Sequence, residues 1–146
     1  IRLANASQKF VAIKEASGNL DQCMQLVKLN QRTDFQLLSG DDNLTYSLVH
    51  LGFSGVISVI ANAFPASYSQ MVRASLAGQI DEAKSLHYAH LDMIDALFSD
   101  GNPGGVKKVM STMGLCKNEL RLPLVPVNDQ VAKRLDKHLN ELKTLN

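Results

Sequence analysis

The chain has 146 residues, with 15 Lys and Arg against 14 Asp and Glu for a formal net charge of +1. So even a balance excludes nucleic-acid binding driven by a basic surface and leaves no polybasic patch for a membrane. With 45% hydrophobic and 20% charged residues the composition is that of a globular protein, and a domain of this size buries roughly 68 to 70% of its unfolded surface without a disulfide or metal staple.

Three short apolar runs punctuate the first part of the chain: FVAIKEA from Phe10, FQLLSG from Phe35 and GVISVIANA from Gly55. Each is too short for a buried helix and rich in Val, Ile, Leu or Phe, which predicts buried parallel strands near 10–14, 35–39 and 55–60. Between them Leu20, Met24, Leu26 and Val27 space as one helix face, and Leu44, Leu48 and Leu51 as another that ends at Gly52. Strand, helix, strand, helix, strand is a series of βα units. Each strand finishes in polar or small residues, so in a (β/α)8 barrel the three ends share one mouth; a doubly wound sheet places its ligand by the same rule. No GxGxxG follows a strand, which argues against dinucleotide binding.

From Phe64 to Phe98 the apolar spacing is helical, with Gly78 dividing it in two and Asp81 near the second start. Asn102-Pro103 opens a further helix with the proline in its first turn, and Gly114 stops it. LRLPLVPV, residues 120–127, is expected to be extended by Pro123 and Pro126. Asn128 caps a last amphipathic helix with Val131, Leu135, Leu139 and Leu142 on its apolar face. Gly52, Ser54, Gly55, Ser58, Asn62 and Pro65 interrupt the most apolar region, so no run has the length of a membrane span. Cys23 and Cys116 make no CxxC pair, and a reduced, cytoplasmic setting is expected. The start, Ile1-Arg2-Leu3, lacks the order of a signal peptide and reads as a chain already in mid-domain.

Alternation along the first strand puts Phe10, Ala12 and Lys14 on one face and Val11, Ile13 and Glu15 on the other. A lysine against apolar walls has its ammonium form disfavoured, which frees the amine to attack a carbonyl; the other reading is a lysine whose stem packs while its head reaches water. In SGDD, 39–42, Asp41 or Asp42 is a candidate N-cap for the next helix, and Gly40 lets a ligand approach the backbone. His87 and His90 sit three apart, but no third zinc ligand is in evidence, and His50 and His138 read as surface or packing residues. GxSxG, Walker A and HExxH are absent from the sequence.

Taken together, VAIKEASGNL, LLSGDD, GVISVIAN, NPGGVK and LRLPLVPV resemble, in order and over essentially the whole chain, the dihydrodipicolinate synthase family. The resemblance implies an α/β fold made of the last three βα units of a (β/α)8 TIM barrel followed by C-terminal helices, here 1–75 and 76–146 of one domain. It implies a class I aldolase-type enzyme of lysine biosynthesis that joins pyruvate to aspartate semialdehyde, homo-oligomeric and tetrameric as a whole protein, with neither metal nor organic cofactor. For Lys14 it implies the Schiff-base role. Gly40 and Ile57 match positions whose backbone lines the pyruvate pocket, with Asp41 as their neighbour.

Where the family usually carries a proline, this chain has Gly105, which is expected to loosen the start of that helix. The family's GTTGE-type loop, its proton-relaying tyrosine and threonine, its aldehyde-gripping arginine and its feedback site have no counterpart here, and Tyr46, Tyr68 and Tyr88 fall on helical stretches. The chain therefore reads as the C-terminal part of such an enzyme, inactive by itself. Two other readings stand beside it: a sister lyase such as N-acetylneuraminate lyase, and a catalytically silent association segment with open strand edges.

Overall fold

The computed structural model describes residues 1–142. After a short helix α1 (Arg2–Ala6), three parallel strands alternate with two helices: β1 (Ala12–Glu15), α2 (Leu20–Leu29), β2 (Gln36–Ser39), α3 (Thr45–Leu51) and β3 (Gly55–Val56). The sheet order is β1-β2-β3, with Lys14 opposite Leu38 and Leu38 opposite Gly55. This is an α/β architecture built on a small parallel sheet. The strands lie where the apolar runs predict them, displaced by one or two residues. The third is only two residues long, because a 3-10 turn at Ile60–Asn62 takes over the end of the run.

Four helices follow: α4 (Pro65–Leu76), α5 (Ile80–Phe98), α6 (Gly104–Thr112) and α7 (Asp129–Leu142). Gly78, at φ +72°, makes the turn between α4 and α5, and Gly114, at φ +76°, ends α6 with its N–H on the Ser111 carbonyl. Asn128 caps α7 by accepting the Val131 N–H at 3.0 Å. One apolar cluster runs from Ile60 and Phe64 through Met71, Met93 and Leu97 to Leu135 and Leu142. A second, formed by Cys23, Phe35, Leu37, Leu48 and Phe53 with Ile13 against it, sits between the sheet and α2 and α3. No helix among the described residues is long and apolar enough to cross a membrane.

Several expectations need correction. Leu26 and Val27 pack against the second cluster as expected, but Leu20 and Met24 are exposed, and the fully buried residue of α2 is Cys23, whose thiol meets Glu15. Neither Asp41 nor Asp42 caps α3. A turn closed by Leu44 N–H to the Asp41 carbonyl and Thr45 N–H to the Asp42 carbonyl intervenes, so α3 starts three residues after Asp42. Pro103 stands at the N-cap of α6, one residue before the first turn. Residues 120–127 contain a turn, closed by the Leu124 N–H on the Arg121 carbonyl at 3.0 Å. Gly105 also has a packing role that the sequence did not show: a Cβ there would lie 2.8 Å from the Leu97 carbonyl carbon, so the missing side chain lets α6 pack on the backbone of α5.

Candidate functional site at the carboxyl ends of the strands

Side chains of β1 divide between two environments. Ile13 packs into the cluster under α2 and α3, and the Glu15 carboxylate is buried against α2, accepting from the Cys23 thiol at 2.9 Å, the Gln22 amide at 2.9 Å and the Ser17 N–H at 2.9 Å. Burial works against an ionised Glu15, and these hydrogen bonds outweigh it, holding the carboxyl below its ordinary range. For Cys23, burial, the bond to Glu15 and the charge of that carboxylate act in one direction and push the thiol up to about 12. The side of β1 that faces the helices is thereby fixed, and Lys14 projects from the opposite side, exposed.

Lys14 shares that side with Leu38 and Gly55, its neighbours across the ladder. Gly40, two residues beyond Leu38, belongs to the same row. Its N–H donates to the Glu15 carbonyl at 2.6 Å, and a Cβ on it would meet Ala16 Cβ at 2.6 Å and Lys14 Cε at 2.7 Å. Ile57 extends the ladder beyond β3, its N–H donating to the Ser39 carbonyl at 2.8 Å, and its side chain is exposed. Lys14, Gly40 and Ile57 thus lie on one face, at the carboxyl end of one sheet.

Asp41 is set aside from this row. Its Oδ1 accepts the Asn43 N–H at 3.0 Å, and it lines a cleft of about 420 Å³ with Ala16, Gly40, Asn43, Asp95 and Phe98. The cleft opens beside Gly40, so Asp41 is adjacent to the lysine row without being part of it.

Sequence reasoning missed two features that hold this end of the sheet together. Ser39 and Thr45 form a polar knot: the Thr45 hydroxyl lies 3.0 Å from the Ser39 hydroxyl and 2.9 Å from the Asp41 carbonyl, which pins the loop carrying Gly40. Asp42, only 3% exposed, reaches across to the segment after β3, where its Oδ2 accepts the N–H groups of Val59 at 2.9 Å and Ile60 at 3.0 Å. Its backbone carbonyl accepts the hydroxyl of the buried Tyr68 at 2.9 Å. The doubled aspartate in SGDD was the available signal, but it did not show which of the two turns inward.

His87 and His90 are buried within the helix layer, and both ring nitrogens of His90 are hydrogen-bonded there. His90 Nδ1 donates to the Leu86 carbonyl and Nε2 accepts the Ser67 hydroxyl at 2.9 Å, while His87 stacks on Tyr46. Burial pushes both imidazoles below their ordinary range. His50 lies against the Tyr46 carbonyl and His138 against Glu141.

Residues 1–142 match the Dihydrodipicolinate synthetase family. The chain belongs to that family. It is 46% identical over 143 residues to the 4-hydroxy-tetrahydrodipicolinate synthase of Phocaeicola vulgatus, covering 98% of this chain and 48% of the relative. To the synthase of the same name from Methanothrix thermoacetophila it is 40% identical, covering 99% and 48%. Among solved structures, dihydrodipicolinate synthase from Aquifex aeolicus superposes with a TM-score of 0.92 at 35% identity, over 97% of this chain and 48% of that one. A monomeric dihydrodipicolinate synthase variant superposes with a TM-score of 0.94 at 34% identity, again over 97% and 48%. The chain spans about half the length of the relatives it matches.

Proposed function

We propose that this chain is the lysine-bearing half of a dihydrodipicolinate synthase, a partial (β/α)8 barrel in which Lys14 forms a Schiff base with pyruvate. The observation that carries the reading is the row of Lys14, Gly40 and Ile57 on one open face at the carboxyl end of a parallel sheet. The Lys14 amine attacks the keto carbon of pyruvate, water leaves, and the resulting imine loses a methyl proton to become an enamine. The enamine carbon adds to the aldehyde of aspartate semialdehyde, and ring closure by the amino group of that substrate releases the lysine. The imine is the electron sink, so the chemistry calls for neither metal nor organic cofactor.

In this reading the Gly40 and Ile57 backbone lines the pyruvate pocket, and Asp41 borders the side from which the aldehyde enters. The whole enzyme is cytoplasmic, serves lysine biosynthesis and is a homo-oligomer, a tetramer in the form we favour. The isolated 146-residue chain does not turn over: general acid and base groups contribute about 10²- to 10⁴-fold, and the tyrosine, threonine and arginine that the family uses have no match here.

A second reading, association without catalysis, draws support from the open face. Phe10, Val11 and Ile57 are exposed, and both outer sheet edges are unpaired among the described residues. Isothermal titration of the chain with pyruvate separates the two: heat that disappears in Lys14→Gln supports the half-site, and no heat in either protein supports association alone. Assaying the intact enzyme with aspartate semialdehyde and with a sugar-acid lyase substrate distinguishes the synthase from its sister lyases.

A further inference from the structure

Gly40 and Ile57 belong to different strands, and their relative position depends on what joins the segment after β2 to the segment after β3. The ladder contributes one bond at this level, from Ile57 N–H to the Ser39 carbonyl. Beyond it the chain turns into the 3-10 segment, where the Val59 and Ile60 N–H groups point away from any backbone acceptor of the sheet. Asp42 supplies the missing acceptor, taking both N–H groups on one oxygen at 2.9 and 3.0 Å. Charge-assisted bonds of this kind are short and directional. Two residues from Gly40 and two from Val59 to Ile57, this carboxylate spans the gap between the two pocket-lining backbones. Tyr68, donating to the Asp42 carbonyl from α4, keeps the residue from rotating out.

We infer that Asp42 is a positioning residue that sets the separation of the Gly40 and Ile57 backbones and thereby the fit of pyruvate, without touching the substrate. The inference rests on the reading of those two residues given above. Its other oxygen, Oδ1, is buried with no hydrogen-bond partner.

That asymmetry designs the test, carried out in the intact enzyme with steady-state kinetics and thermal melting. Asp42→Asn keeps an oxygen for Val59 and Ile60 and puts an amide where Oδ1 finds no partner; its Tm should fall while its KM for pyruvate stays within about threefold of the unmutated enzyme. Asp42→Ala removes the span, and its KM for pyruvate should rise about tenfold or more, since small misplacements of binding groups carry large penalties. Should the alanine variant fail to fold, Asp42→Glu decides: it keeps charge and acceptor but lengthens the reach by one methylene, and the same rise in KM for pyruvate is expected, with KM for the aldehyde little changed. A folded glutamate or alanine variant with unaltered KM for pyruvate overturns the inference, whatever its Tm. Borohydride trapping of pyruvate by the unmutated enzyme runs alongside: no adduct on Lys14 refutes the reading of the site and the inference with it, whereas an adduct together with unaltered KM refutes the inference alone.

Discussion

Lys14 Cε occupies the space beside Gly40 that a side chain at position 40 would need, with only 2.7 Å to the place a Cβ would take. The lysine stem is therefore laid against a bare stretch of backbone, also hydrogen-bonded at this point to the strand that bears the lysine through Gly40 N–H and the Glu15 carbonyl. Any side chain at position 40 must displace the lysine stem, the Ala16 side chain and the Glu15 carbonyl together.

Gly40→Ala is accordingly expected to destabilise the protein by about 1–3 kcal/mol, the usual cost of overpacking, and to slow imine formation at Lys14 by about tenfold or more through misplacement of the amine. Urea melts and the rate of borohydride-trapped labelling by pyruvate measure the two effects. An alanine variant with native stability and native labelling rate would show that the close approach has no consequence.

The two cysteines should differ sharply in reactivity. Cys23 is fully buried with its thiol donating to Glu15 and pushed up to about 12, while Cys116 is partly exposed. Since only the thiolate alkylates readily, iodoacetamide at pH 8 should label Cys116 in the folded chain and reach Cys23 only after denaturation. Glu15→Ala leaves the Cys23, Gln22 and Ser17 donors without their acceptor and should cost about 1–3 kcal/mol. In that variant the Cys23 thiol loses the neighbouring charge but keeps its burial, the larger cause of its raised value, so it stays protected in the folded chain; native stability in Glu15→Ala would contradict the pairing.

Two buried histidines and a buried carboxylate give stability a defined dependence on pH. The folded values of His87 and His90 lie below the unfolded value near 6.5, so above that pH neither state binds the proton and nothing is lost. As pH falls through 6.5 the unfolded chain takes up protons that the folded one refuses, and stability declines. Glu15 acts lower: its folded value lies below the unfolded 4.5, so its contribution is complete above 4.5 and disappears as pH drops through the folded value. Urea midpoints should therefore fall between pH 7 and pH 5.5, and the double variant His87→Gln, His90→Gln should flatten that decline while leaving the acid loss below pH 4.5 in place. A midpoint independent of pH between 7 and 5.5 in the unmutated chain would rule out the buried neutral imidazoles.

Local pattern accounts for what the sequence made legible. Period-two alternation put Glu15 and Lys14 on opposite faces of β1, a local consequence of one short strand; that the Glu15 face is the one turned to α2 came from the structure. The glycines at 52, 78 and 114 marked helix ends because positive φ is a property of single residues. Features that depend on distant partners were not legible. The inward reach of Asp42 to Val59 and Ile60 joins segments 17 and 18 residues apart, and composition gives no means of choosing it over Asp41. Part of the α2 face was misplaced for a similar reason: Leu26 and Val27 do pack inward, but Cys23 is buried where Leu20 and Met24 are exposed, and its partner Glu15 lies on another element. The packing role of Gly105 likewise depends on a distant partner, the backbone of α5 at Leu97.

The role proposed for Lys14 is to bond to pyruvate. Incubating the intact enzyme with pyruvate and sodium borohydride, followed by proteolysis and peptide mass spectrometry, tests it most directly. The expected result is the mass of one reduced pyruvate imine on the peptide containing Lys14, and its loss in Lys14→Gln. An unmodified Lys14 peptide, or an adduct carried by another lysine and retained in Lys14→Gln, would contradict it.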